Sequence, residues 1–433
     1  MSNQKHSLQK TVRYVIFITE RVVKSVKAVI LAGGLGKRMG KLSEEIPKPM
    51  TLINKKPVLQ HQLEVLKKEG ISDFIFVTGY LSEKIEEYFK DGSTFGVTIE
   101  YFCEKEPLGT AGALFKLRLE EDFLLCNGDL IFDFSFEKML DFHRKNNALA
   151  TLFSHPNSHP YDSTLIEAKE NGQVTGFISG EKPESYQNLC NAGIQLISPS
   201  LLQMYNIESY ADLDKDIIRP AVNTGRIYAY KSAEYVKDMG TPERLKAVTD
   251  DVVKGVVQRR HSSVMQKAVF LDRDGTINKH KGFITDPSEI ELVENAGKAV
   301  ANINKKGYLA IIVTNQPVIA RGECTEEKLR EIHNRLETLL GEQGAYIDGI
   351  YYCPHHPDKG FQKEVEELKI SCSCRKPQPG MLLQAKEDFN IDLAESYMVG
   401  DSQRDVEAGE NAGCKSVLLS EERSLYDFSL SII

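Results

Sequence analysis

Residues 270–276 read Phe-Leu-Asp-Arg-Asp-Gly-Thr, directly after Lys267-Ala268-Val269. An apolar run that stops abruptly at two carboxylates, i and i+2, reads as a buried parallel strand. Such a strand delivers Asp272 and Asp274 to its C-terminal end, where open α/β sheets bind ligands. The period of a strand sets both carboxylates on one side. Gly275 lets the chain turn sharply beside them. One carboxylate can then attack a phosphoryl group while the other handles the leaving group's proton. The plainer alternative is an acidic turn closing a strand, and the residues further along the chain decide between the two.

Further apolar runs end in the groups that phosphoryl chemistry needs. Residues 309–313 lead into Thr314 and Asn315, a hydroxyl and an amide suited to phosphate oxygens, and Lys376 stands in Arg375-Lys376-Pro377. Residues 397–400 run into Asp401, with Asp405 one helical turn further on. In this order the four stretches resemble the haloacid dehalogenase superfamily of aspartate-nucleophile phosphatases. The resemblance implies Asp272 as nucleophile and Asp274 as general acid, then base. It also implies Thr314, Asn315 and Lys376 around the phosphoryl oxygens, and Mg²⁺ held by Asp272, Asp401 and the main-chain carbonyl of Asp274.

At 433 residues the chain is long enough for two or three domains, and 41% hydrophobic with 27% charged residues is ordinary for globular protein. A net charge of −8 argues against a broad nucleic-acid-binding surface, so anionic substrates would need locally basic pockets. No apolar run approaches the ~20 residues of a membrane span. Apolar residues 14–18 give way to Thr19-Glu20-Arg21 too soon for a signal-peptide core. A cytoplasmic location is expected, with the eight cysteines as free thiols or metal ligands. Residues 1–26 carry no motif and read equally as an arm or an extra strand.

A first buried strand, 27–32, is followed by Gly33-Gly34-Leu35-Gly36-Lys37-Arg38-Met39. Glycines let backbone N–H groups approach phosphate, and Lys37 and Arg38 add charge. A dinucleotide loop is excluded because Met39 stands where its third glycine belongs. A P-loop is excluded because Leu31 replaces its first glycine and no Ser or Thr follows Lys37. Helix 57–68, strand 74–77, helix 81–89, strand 97–102 and strand 123–126 continue an α/β alternation, the last running into Asn127-Gly128-Asp129. An aspartate at that strand end is placed to hold Mg²⁺ against nucleotide phosphates.

This glycine loop, with Pro47-Lys48-Pro49-Met50 nearby, resembles the nucleotide-sugar pyrophosphorylase family. The resemblance implies transfer of a nucleotidyl group to a sugar 1-phosphate, with Gly33, Gly34, Gly36 and Lys37 at the nucleotide. Arg38 and Lys48 would neutralise the reacting phosphates. Glu104, Gly109 and Thr110 would border the base, where a carboxylate can accept from N1–H and the exocyclic amine of guanine. In Gly180-Glu181-Lys182-Pro183, Lys182 would take the sugar phosphate and Glu181 hydroxyls. Asn191 would lie in the sugar pocket, and Asp129 and Asp238 would share Mg²⁺. The match covers 27–250 in order, without the hexapeptide repeat many relatives carry. Polar residues 251–266 read as a linker, and 267–433 as the phosphatase domain.

Between Asp274 and Thr314 there is little beyond one loop and helix 295–305, so no large cap is expected. Cys353-Pro354-His355 and Cys372-Ser373-Cys374 offer three thiolates and an imidazole, the donor set of a closed structural zinc site; scattered polar residues in a surface loop are the bland alternative. With Ile319-Ala320-Arg321-Gly322 and the stretch 375–381, this loop resembles the heptose bisphosphate phosphatase branch. Histidinol-phosphate phosphatases share the zinc loop. Pro317 departs from that branch, which usually has serine there. The resemblance implies a bifunctional enzyme of two α/β domains, each Rossmann-like. One would remove the C7 phosphate of a heptose 1,7-bisphosphate; in an uncapped site, the guanidinium forks of Arg321 and Arg375 near its mouth suit the anomeric phosphate. The other, similar to heptose 1-phosphate guanylyltransferases, would join heptose 1-phosphate, as the α-anomer, to GTP. GDP-heptose for lipopolysaccharide or S-layer glycans would result, and the resemblance leaves room for a homo-oligomer. A hexose-1-phosphate nucleotidyltransferase joined to another phosphatase, or one domain acting only as a binding module, are the competing readings.

Overall fold

The computed structural model describes residues 26–34 and 45–432. Gly36, Lys37 and Arg38 lie outside the described residues, as does the extension before Val26. The chain divides into two compact units. One comprises Met1–Phe153, Ala168–Gly176 and Ala192–His261, and the other Ser154–Glu167, Phe177–Asn191 and Ser262–Ile433.

The first unit is built on β1 (Lys27–Leu31), whose Ala28, Val29 and Ile30 are fully buried. Helix α1 (Val58–Lys68) turns Leu59, Leu63 and Leu66 to the core at helical spacing. It is followed by β2 (Asp73–Thr78), α2 (Ser82–Phe89), β3 (Thr98–Cys103) and β4 (Phe123–Asn127). Strand β1 lies parallel between β2 and β4, and β3 lies parallel beyond β2. Strands covered on both faces read as the continuous apolar runs seen in the sequence. The ends of β1, β2 and β4 therefore share one edge, which gathers Gly33, Gly79 and Asp129. Strand β5 (Leu130–Asp133) follows, and Ile194–Ile197 of β6 (Cys190–Ile197) pair antiparallel with β4. Strand β7 (Tyr235–Asp238) pairs antiparallel with β5, setting Asp238 opposite Leu130, next to Asp129.

The stretch read as a linker is folded. After α3 (Pro242–Val253) the chain forms α4 (Val256–Arg259), and Val257, 3% exposed, joins Ile53, Ile131, Tyr235, Met239 and Val248 in an apolar cluster. Its Arg and Ser residues mask a valine pair whose burial holds the segment in place.

The second unit holds β8 (Ala268–Leu271), α5 (Ala296–Lys305), β9 (Leu309–Asn315), α6 (Glu326–Gly341), β10 (Gly349–Cys353), α7 (Gly380–Phe389), β11 (Tyr397–Gly400), α8 (Gln403–Ala412) and β12 (Lys415–Leu418). The sheet order is β10-β9-β8-β11-β12, all parallel. Central β8 is buried along its whole length. Between β8 and α5 there is a loop with one short 3₁₀ turn, Pro287–Glu289, and no cap domain. Residues 184–188 pack on α6 within this unit. The Tyr186 N–H donates to Thr338 Oγ1 at 3.0 Å, that of Asn188 to Glu337 Oε2 at 3.2 Å, and Arg335 Nη1 to the Glu184 carbonyl at 2.6 Å. Glu181, Lys182 and Asn191 therefore fall in the same compact unit as residues 262–433.

Candidate active sites

Ends of β8, β9 and β11 converge on Lys376. Its Nζ lies 2.8 Å from Asp272 Oδ1 and 2.7 Å from Asp405 Oδ1, and its side chain is buried. The Asp272 N–H donates to the Val399 carbonyl at 3.0 Å, fixing its main chain against β11. Carboxylate oxygens of Asp272, Asp401 and Asp405 lie within 4.8 Å of one another. Asp405 has other partners too: its Oδ2 accepts from Ser402 N–H at 3.1 Å and Ser402 Oγ at 2.7 Å in the cap of α8. Together with Asp272 and Asp401 it forms the group of carboxylates that could hold a cation. Burial pushes the Asp272 carboxyl up to about 6; Lys376 opposes the rise, and Asp405 and Asp274 add to it. Crowded carboxylates with one ammonium among them are a set that a divalent cation relieves. Gly275, at φ +85°, permits the crowding, since a Cβ there would stand 1.9 Å from Asp401 Oδ2.

Asp274 has its own set of partners. Strand β8 ends at Leu271 and the chain turns at Arg273, so the alternation of a strand no longer governs Asp274. The Asp274 carboxylate accepts from Arg273 Nη2 at 2.8 Å, Arg273 Nε at 3.1 Å, Asn278 Nδ2 at 2.9 Å and Gln316 Nε2 at 3.0 Å. Burial would raise its pKa, but Arg273, Asn278 and Gln316 together outweigh it and hold the group below the usual carboxylate range. Asp274 is also outside the set of clustered carboxylates formed by Asp272, Asp401 and Asp405.

Asn315 is likewise engaged elsewhere. Its Oδ1 accepts from the Lys376 N–H at 3.0 Å and its Nδ2 donates to the Lys376 carbonyl at 3.1 Å. Both ends of the amide thus clamp the main chain that carries the cation. Thr314, 1% exposed, accepts at Oγ1 from Gln316 Nε2 at 2.8 Å.

The four zinc-type donors come together. Cys374 Sγ lies 3.1 Å from Cys372 Sγ, 3.3 Å from Cys353 Sγ and 3.3 Å from His355 Nδ1, and Cys353 Sγ is 3.5 Å from Cys372 Sγ. A tetrahedral centre with Zn–S of about 2.3 Å has edges of about 3.7 Å, so the donor set and its spacing fit a closed zinc site. Arg375 Nη1 donates to the His355 carbonyl at 3.2 Å, tying the cluster to the residue before Lys376. Arg321 is sandwiched between Phe283 and Phe361, its guanidinium carbon 4.1 and 4.4 Å from the ring centres.

In the first unit Lys48 Nζ pairs with Asp129 Oδ2. Asp238 accepts from Gly240 N–H at 2.8 Å and from Arg244 Nη1 at 2.9 Å. Burial pushes Asp238 up, yet those donors and Lys48 prevail and keep it low. Each carboxylate thus carries a cationic partner. Glu104 closes the same edge: a Cβ on Gly33 would meet its Oε2 at 2.9 Å. Its Oε1 accepts from the Leu108 N–H at 3.3 Å, and burial raises its pKa. A Cβ on Gly34 would meet nothing within 4 Å. Gly109 is demanded by backbone packing, because a Cβ would stand 2.3 Å from the Ala211 carbonyl. Thr110 Oγ1 accepts from the Leu213 N–H at 2.7 Å. Lys182 Nζ donates to the carbonyls of Ser163 at 2.6 Å and Ile178 at 3.1 Å, while Glu181 is exposed and Asn191 half-buried.

Sequence reasoning passed over Arg273, Asn278 and Gln316, and gave Asp405 no task. An arginine between two aspartates was the available signal, since a cation there must either reach solvent or pair with its neighbours. It is fully buried.

These two sheets and their edges belong to a nucleotidyltransferase domain and a phosphatase domain in one chain. Comparison with known proteins agrees. The nucleotidyl transferase family model matches residues 27–255, and the HAD-hydrolase-like model matches 373–424. A D-glycero-β-D-manno-heptose-1,7-bisphosphate 7-phosphatase of Haemophilus ducreyi is 45% identical over 155 residues, 36% of this chain and 82% of that protein. Its Escherichia coli counterpart is 43% identical over 150 residues, 34% of this chain and 76% of that protein. The solved HddC of Yersinia pseudotuberculosis, complexed with GMP-PN, is 23% identical, spans 52% of this chain and 99% of its own, and superposes with a TM-score of 0.45. The chain belongs to the nucleotidyl transferase family through its N-terminal half and to the heptose bisphosphate 7-phosphatases through its C-terminal part. Among the described residues, no helix is long and apolar enough to cross a membrane.

Proposed function

We propose that this chain removes the C7 phosphate from a heptose 1,7-bisphosphate and joins the resulting heptose 1-phosphate to GMP from GTP. The observation that carries the reading is the 45% identity to a heptose bisphosphate 7-phosphatase, on a scaffold that seats Lys376 on Asp272. Asp272 attacks phosphorus and the C7 oxygen leaves with a proton from Asp274. Water then attacks the aspartyl-phosphate, its proton passing to Asp274. To serve the leaving oxygen, Asp274 turns out of the Arg273 cradle, which raises its proton affinity so that it takes a proton from solvent; the proton it later accepts from water returns to solvent when it swings back. Lys376 and Thr314 hold the phosphoryl oxygens, and Asn315 keeps Lys376 in place. Mg²⁺ at Asp272 and Asp401 supplies charge neutralisation when bound. Zn²⁺ at Cys353, His355, Cys372 and Cys374 braces the loop. Arg321, its faces covered by two rings, and Arg375 receive the anomeric phosphate through their N–H edges.

In the transferase domain an oxygen of the sugar 1-phosphate attacks the α-phosphorus of GTP and pyrophosphate leaves. Asp129 and Asp238 suit Mg²⁺ once Lys48 and Arg244 turn from them to the incoming phosphates. Glu104, beside Gly33, supports guanine as the base. A cytoplasmic location accords with eight cysteines, none of them in a disulfide. The phosphatase relatives are named for the β-anomer, whereas the transferase resemblance implies α, so both belong in the test. Each bisphosphate is given to purified protein with Mg²⁺ and followed by ³¹P NMR. Loss of the C7 signal with the anomeric phosphate intact is expected. Release from C1, or turnover of histidinol phosphate alone, would contradict the reading.

A further inference from the structure

Gln316 is buried, 3% exposed, and belongs to no expected site. Its orientation is fixed by chemistry. Oε1 faces Arg273 Nη2 at 3.1 Å, a group that only donates, so the amide cannot be turned over. Nε2 then points its two hydrogens at Asp274 Oδ2, 3.0 Å away, and Thr314 Oγ1, 2.8 Å away. A hydroxyl that accepts from an amide keeps its own hydrogen to give. The Thr314 proton is therefore free for an acceptor other than Gln316, which at this sheet edge is a phosphoryl oxygen. We propose that Gln316 is a positioning residue that sets two reacting-centre groups from one NH₂. It poses Thr314 as a donor to the phosphoryl group, and it holds the Asp274 carboxyl group against the Arg273 guanidinium. The inference rests on the phosphatase reading above.

Thr314→Val and Asp274→Asn test that reading by themselves, and Gln316 is tested by its coupling to them. Intact protein with Mg²⁺ is assayed for kcat on the bisphosphate and for inhibition by vanadate, a mimic of the transferring phosphoryl group. Gln316→Leu should weaken vanadate about tenfold, the worth of one buried hydrogen bond. In the Thr314→Val background the same change should alter vanadate affinity less than about twofold, because the hydroxyl it poses is gone. Likewise its effect on kcat should shrink in the Asp274→Asn background. Gln316→Asn, one methylene too short to reach both acceptors, repeats the cycle should Gln316→Leu not fold. Effects of Gln316 that multiply unchanged through both backgrounds would overturn the proposal. Thr314→Val and Asp274→Asn at wild-type activity would instead overturn the underlying site.

Discussion

Lys376 Nζ sits 2.8 Å from Asp272 Oδ1, and the buried Asp405 holds it there from the other side at 2.7 Å. The ammonium is anchored by one carboxylate and presented to Asp272 by geometry. Asp405→Asn should lower phosphatase kcat at least about tenfold and destabilise the domain by roughly 3 kcal/mol, since one buried cation loses its anchor. Steady-state kinetics and denaturant unfolding check this, and nucleotidyl transfer should stay unchanged.

Asp272→Asn keeps the volume and removes the nucleophile. Phosphate release should fall to background while nucleotidyl transfer continues. Retained phosphatase turnover in the purified variant would sink the covalent mechanism.

The Cys353, His355, Cys372 and Cys374 cluster should carry one zinc per chain by elemental analysis. Cys372→Ser, or a zinc-selective chelator with Mg²⁺ kept in excess, should lower the phosphatase alone, through the Arg375–His355 link to Lys376. Carefully purified protein without zinc at full activity would contradict this.

Asp129→Asn and Asp238→Asn should each reduce nucleotidyl transfer by about 100-fold or more and spare the phosphatase. Glu104→Gln should cost GTP about tenfold in kcat/KM relative to ATP, because an amide can accept only one of guanine's two hydrogen bonds. Unchanged base preference would remove Glu104 from the base pocket.

Much of the fold was legible because fully buried parallel strands leave uninterrupted apolar runs, as at Ala268–Leu271 and Leu309–Asn315, with chemistry at their ends. The metal-type cluster was legible from donor identity alone. What was less legible lies where the chain leaves regular geometry. The period of a strand was extended to Asp274, past the turn at Arg273 that ends it. Asn315 looked like a phosphate ligand because its residue type suits one, while its partner, the Lys376 main chain, is distant in sequence and visible only once β9 is folded. Residues 251–266 looked like a linker because two valines among charges are a weak signal until their apolar partners are known.

One coupled assay tests the two-domain pathway most directly. Purified protein receives a single anomer of heptose 1,7-bisphosphate, GTP and Mg²⁺, with no other enzyme, and products are separated by ion exchange. Equimolar phosphate, pyrophosphate and GDP-heptose are expected from at least one anomer, with Asp272→Asn blocking the sequence unless heptose 1-phosphate is supplied. Phosphate release without nucleotide-sugar formation from either anomer, or clear preference for ATP or dTTP over GTP, would contradict it.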